Sequence, residues 1–196
     1  PRGLPDAFVI GEKFIGKENV AMILGDNFFY GQNLTSQLLN NTKLKKGAKV
    51  VLHKVQKPEV FGVAKIDNKN KIINIKEKPK KFLSDLAITG LYFFDNNVVK
   101  FAKKLKPSKS GEVELVDLLN SYRLKKQLAA DISGRGGAWL DTGSIEDFYK
   151  TSAFVSAIEN RQGFKIACLE EIALRKKWNK KKQINNAIKF HGNCNY

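Results

Sequence analysis

Two aspartates stand where apolar runs end. One closes the run in "AMILGDNFFYG", residues 21–31, and the other lies in "GGAWLDTGS", residues 136–144, between a Trp-Leu pair and a Thr-Gly turn. Mg2+ is commonly held by one or two carboxylates and completes its shell with phosphate oxygens and water. If Asp26 and Asp141 meet across one cleft, a metal between them turns a pair that repels polyphosphate into one that grips it. The plainer reading is local: Asp26 serves a turn, and Asp141 or Thr142 caps a helix starting near 144. The two roles can coexist.

The elements that must position these residues alternate along the chain. Residues 20–25 read as a buried strand and 33–42 as a helix beginning near Asn33. "AKVVLHKV" is a strand, and "VFGVAKID", "NKN" and "KIINIKE" read as a hairpin. "AITGLYFFD" is a second apolar strand ending on a carboxylate, followed by a helix through "NVVKFAKKL". A further helix runs through "GEVELVDLLNSYRLKKQ", with Glu112 and Glu114 in its first turn. "AADISGRGGAWLDTG" reads as strand, glycine turn, strand and loop. A long helix covers 144–161, and 169–190 is helical with a break near Trp178. Strands alternating with helices predict an α/β sheet covered on both faces, with a hairpin insertion. In such sheets ligands bind beyond the carboxyl ends of the strands, where Asp26 sits. The three aromatics after it read as packing around a turn.

Composition narrows the function classes. A chain of 196 residues with 42% hydrophobic side chains can bury a core, and no apolar run is long enough to span a membrane. The first ten residues lack the charged head and apolar core of a signal peptide, and two cysteines without metal spacing fit a reducing compartment, so a cytoplasmic protein is expected. The net charge is +16, but 30 of the 35 basic residues are Lys and they are scattered. Base reading leans on Arg forks and phosphate tracking on a localised stripe, so no nucleic-acid partner is expected. The densest cluster, "RKKWNKKKQ", is the one patch that could serve such a role.

Six segments carry a resemblance. "LGDNFFYG", "VFGVAKID", "EKP", "ITGLYFFDN", "GEVELVDLL" and "AWLDTG" occur in an order and spacing similar to those of the glucose-1-phosphate thymidylyltransferases, a group of sugar nucleotidyltransferases. The resemblance covers essentially the whole chain. It implies a Rossmann-like nucleotidyltransferase sheet with helices on both faces, divided as a core over 1–162 and a helical segment over 163–196. It also implies Mg2+-dependent transfer of a thymidylyl group from dTTP to glucose 1-phosphate, the opening step of dTDP-rhamnose synthesis, in homotetramers. Asp26 and Asp141 match the family's magnesium ligands, and Lys78 the cation that steadies the attacking phosphate. These three are the expected catalytic residues. Gly3 and Leu4 match the nucleotide-contacting "RGLP", while Asn27, Gly62, Glu77, Lys78 and Ile88 match substrate positions. A metal-dependent glycosyltransferase, or a nucleotidyltransferase for another sugar phosphate, would suit the same carboxylates.

The chain also departs from the family's pattern. The glycine-rich loop of the form GGxGTRL is not found in it, it starts at Pro1, and it ends at "NCNY". The expectation is a piece of a longer protein, truncated at both ends and inactive by itself. Ser110 stands where relatives carry a phosphate-contacting arginine, and Lys109 beside it offers a point charge without a bidentate fork.

Overall fold

The computed structural model describes residues 1–108 and 111–192. Lys109, Ser110 and Cys194 lie outside the described residues. Two short helices, α1 (Asp6–Ile10) and α2 (Glu12–Ile15), precede strand β1 (Val20–Ile23), strand β2 (Asn27–Tyr30) and helix α3 (Leu34–Asn41). Strand β3 (Ala48–Lys54) leads to the hairpin of β4 (Gly62–Ile66) and β5 (Ile72–Glu77), then to β6 (Leu86–Phe94) and α4 (Asn97–Ala102). Helix α5 (Leu115–Leu124) and strands β7 (Leu128–Ile132) and β8 (Ala138–Asp141) come next.

The main sheet has the order β5-β4-β6-β3-β7, with β1 also paired to β6. Only β3 and β7 pair in parallel among the described strands. Alternation along the strands sorts the core onto two faces. Val50, Leu52, Ile88, Tyr92 and Phe94 join one cluster with α1, α4 and α5, through Phe8, Val98 and Leu118. Val51, Leu91 and Phe93 face the other way, against Phe29 and against Leu38 of α3. Helices therefore cover both faces, as the alternation predicts.

Three readings need correction. "NFFY" is not a packed turn but strand β2, whose partner β8 lies far along the chain. The two N-terminal helices carry too short a periodic signal to be read. Helix α5 begins at Leu115 with Glu114 as its N-cap residue, which leaves Glu112 before the helix.

Asp95, which follows β6, is 4% exposed and fully spent on structure. Its carboxylate accepts from the Gly47 N–H at 2.7 Å, from the Asn97 N–H at 3.0 Å and from the Tyr122 hydroxyl at 2.9 Å. Burial first, and then this hydrogen bond to Asp95, push the Tyr122 hydroxyl well above its ordinary pKa. Gly47 takes φ +92°, and a Cβ there would lie 2.3 Å from the Gln127 carbonyl oxygen. The loop therefore needs glycine.

The chain separates into two compact units, Pro1–Asp141 and Thr142–Tyr196. The second contains α6 (Ile145–Gln162), α7 (Leu169–Arg175) and α8 (Lys181–His191). This division precedes the long helix, whereas the sequence reading places it after residue 162. The end of α6 is tied to the segment beyond it: Glu159 accepts from the Ile166 N–H at 2.8 Å and pairs with Lys165 at 3.0 Å. No helix among the described residues is long and apolar enough to cross a membrane.

Tyr122→Phe is expected to cost about 1–2 kcal/mol, because it deletes one buried hydrogen bond. Asp95→Ala is expected to cost more, since it strands the Gly47 N–H and the tyrosine hydroxyl together. Urea midpoints of the two variants check this order.

Candidate active site

A cleft of about 300 Å3 opens in the Pro1–Asp141 unit. The hairpin contributes Gly62 and Glu77, and the residue after β5 contributes Lys78. Ile88 and Tyr92 project from β6, Glu112 and Glu114 from the approach to α5, and Leu4 and Asp141 complete the rim. Six of the expected site residues therefore share one cavity: Leu4, Gly62, Glu77, Lys78, Ile88 and Asp141.

Gly62 faces Glu77 across the hairpin register. A Cβ at Gly62 would come 3.0 Å from the Glu77 carboxylate and 3.7 Å from Ile88, so the missing side chain is room that the carboxylate uses. Glu77 keeps solvent exposure along its length, yet the cleft wall desolvates its carboxylate. Its pKa is raised chiefly by that burial and further by the charge of Glu114, against an opposing pull from Lys78. The Lys78 N–H donates to the Phe61 carbonyl at 3.0 Å, and the residue takes φ +39°. A non-glycine in the left-handed region is costly and is often found at functional positions.

Asp141 ends β8, and its partner in the ribbon is Asn27, next to Asp26. The pairing thus brings the two aspartates to one end of a two-stranded ribbon. Ser144, not Asp141 or Thr142, caps α6: its hydroxyl oxygen accepts from the Asp147 N–H at 3.1 Å. Helix capping therefore does not account for Asp141. Asp26 and Glu77 both act electrostatically on Tyr92, whose pKa is raised mainly by burial and then by these two carboxylates. Among the described residues no group of three or more His, Cys, Asp or Glu side chains forms a closed metal cage. Asp141 on the cleft wall and Asp26 next to its register partner, with the remaining positions left to phosphate and water, are a donor set that suits Mg2+.

Gly3 does not line the cleft. A Cβ there would sit 2.2 Å from the Val113 carbonyl oxygen, so the glycine is required by backbone that borders the cavity. Asp26 and Asn27 are likewise outside the cavity wall, and the ribbon register sets Asn27 opposite the wall residue Asp141. Sequence reasoning missed Tyr92, Glu112 and Glu114 as wall residues, and Trp139 and Gly90 as partners of Asn27. Tyr92 could have been found from its spacing with Ile88 on one strand face. The acids could not, because their helical reading pointed them to solvent.

The sheet and this cleft define a class, and comparison with known proteins agrees with it. The sequence profile described as "Nucleotidyl transferase" matches residues 1–158, and the chain belongs to that family. Within it, the chain is 48% identical over 178 residues to a glucose-1-phosphate thymidylyltransferase of Neisseria meningitidis, covering 91% of this chain and 62% of that protein. It is also 48% identical over 189 residues to the Neisseria gonorrhoeae protein of the same name, covering 96% and 66%. A Bacillus anthracis crystal structure with sucrose, provisionally assigned as a glucose-1-phosphate thymidylyltransferase, superposes with a TM-score of 0.69 at 39% identity. That match covers 78% of this chain and 60% of the other. The chain thus spans less than two thirds of the length of the relatives it matches.

Two outcomes are expected from the wall. The raised pKa of Glu77 means that its charged form costs stability in the folded state, a cost absent below the ordinary glutamate range and complete above the raised value. Glu77→Gln is therefore expected to raise the thermal midpoint at pH 7 and to leave it unchanged near pH 3. Lys78→Gly is expected to gain about 1 kcal/mol in urea denaturation by relaxing the left-handed backbone.

Proposed function

We propose that the cleft binds the sugar phosphate of a thymidylyl transfer, in which dTTP and glucose 1-phosphate give dTDP-glucose and pyrophosphate. The observation that carries this reading is the pairing of acceptors and a cation in one cavity. Glu77, with Glu112 and Glu114, offers carboxylate oxygens to sugar hydroxyls, and Lys78 beside them offers an ammonium to the phosphate. Ile88 and the body of Tyr92 give the sugar ring an apolar floor. The names of the Neisseria relatives supply the choice of thymidine nucleotide and glucose 1-phosphate.

The chemistry needs no covalent nucleophile. An oxygen of the sugar phosphate attacks the α-phosphorus of the nucleotide in line, a new P–O bond forms, and the bond to the β-phosphate oxygen breaks as pyrophosphate leaves. Lys78 holds the attacking phosphate and offsets its charge. Asp26 and Asp141 would hold Mg2+, which when bound neutralises charge on the nucleotide phosphates. Asp141 ends β8 and Asp26 immediately precedes β2, so the pairing of these strands supports a shared metal-holding side beside the sugar side.

Calorimetric titration of the chain with glucose 1-phosphate tests the reading. Binding is expected to weaken at least tenfold in Lys78→Met and in Glu77→Gln, and glucose 6-phosphate is expected to bind much more weakly. Glucose 1-phosphate affinity unmoved by either substitution would sink the assignment. Equal binding of several hexose 1-phosphates would instead point to a nucleotidyltransferase of broader sugar choice.

A further inference from the structure

Asn27 is the neighbour of one candidate metal ligand and the register partner of the other, yet it is absent from the cavity wall. Its carboxamide is already engaged at both ends. Oδ1 accepts from the indole N–H of Trp139 at 2.6 Å and from the backbone N–H of Gly90 at 3.2 Å. Nδ2 donates to Oδ1 of Asp26 at 2.7 Å. An amide has one acceptor end and one donor end, and two donors converge on the oxygen while a carboxylate faces the nitrogen. Only one orientation satisfies all three contacts.

Gly90 makes the arrangement possible. It lies between Ile88 and Tyr92 on β6, and a Cβ on it would fall 2.6 Å from Cγ of Asn27. Its carbonyl accepts from the Leu24 N–H at 2.9 Å, so the same peptide region holds the turn that delivers Asp26. Trp139 is 9% exposed, and its indole N–H is satisfied by this one amide oxygen. Both acceptor positions of the amide oxygen are taken by Trp139 and Gly90, and one of the two amide protons is committed to the Asp26 carboxylate.

We infer that Asn27 is a positioning residue that clamps the Asp26 carboxylate for its ligand, with Gly90 and Trp139 fixing the clamp. The inference rests on the metal role given to Asp26 under the proposed function. Outer partners of this kind orient metal-holding groups, and their loss commonly lowers metal affinity 10–100-fold.

The test uses the 196-residue chain and Mn2+ as the probe, with free Mn2+ monitored by electron paramagnetic resonance. Asn27→Ala is expected to weaken Mn2+ binding about tenfold while glucose 1-phosphate affinity stays within twofold. Gly90→Ala, which displaces the amide without removing it, is expected to weaken Mn2+ binding in the same direction. Thermal midpoints confirm that each variant is folded. A second readout is independent of metal: in the 15N-labelled chain, the side-chain amide protons of Asn27 are expected to exchange at least tenfold faster in Asp26→Ala than in the parent. Loss of glucose 1-phosphate affinity in Asn27→Ala with Mn2+ binding intact would make Asn27 a substrate contact and overturn the inference. If the parent takes up no Mn2+, the metal reading of the aspartates falls. The clamp itself is then decided by the amide protons, faster exchange in Asp26→Ala supporting it and unchanged exchange overturning it.

Discussion

Strand β6 is the element to which the whole Pro1–Asp141 unit is referred. Nine residues long, it carries β3 along one edge, and β1 and β4 in succession along the other. A strand hydrogen-bonded on both edges and covered on both faces tolerates few polar side chains, and Thr89, its one hydroxyl within reach of a neighbouring backbone, donates to the Val51 carbonyl at 2.8 Å. The register of β3 shifts beside that contact, between Val50 and Leu52. On the face that borders the cleft, β6 presents Ile88, Gly90 and Tyr92 at a spacing of two. A one-residue slip would exchange these for Thr89 and Leu91 and erase the site, so the same register that fills the core also defines the cavity.

The electrostatics of the cleft run against those of the whole molecule. The chain carries a formal charge of +16, yet among the described residues the cavity gathers Glu77, Glu112, Glu114 and Asp141 around Lys78. Long-range attraction brings anions to such a surface, whereas the local carboxylates raise the cost of any anion that does not bring a compensating cation or hydroxyl donors. Sugar hydroxyls and a metal-bound phosphate meet that requirement.

Much of this was legible in the sequence because it is local. The buried runs at 48–54 and 86–94 and the polar turn between β4 and β5 need only alternation and turn chemistry to be recognised. Strand ends are a different matter. Asp26 and Asp95 both close apolar runs, and nothing within either segment says that one residue is exposed while the other is buried on Gly47, Asn97 and Tyr122. That difference is set by residues brought up from elsewhere in the chain. The aromatic stretch at 28–30 shows the same limit, since its strand character comes from β8 and its short run carries no period of its own. Glu112 and Glu114 fit the first turn of a helix by composition, but the backbone enters that helix later and turns both toward the cavity.

The β2–β8 ribbon has a consequence for how the molecule comes together. Asn27 and Trp139 are 112 residues apart, and most of the main sheet lies between them in sequence. Closing so long a loop is entropically expensive until the intervening strands have paired and shortened the effective path. The ribbon is therefore a late event in folding and an early one in unfolding. A ligand held by Asp141, at the end of β8, and by Asp26, next to the start of β2, would act as a reversible cross-link between segments far apart in the chain. It would slow the opening of a ribbon that is otherwise joined to the core around β6 through Phe29 and through the Asn27–Gly90 hydrogen bond.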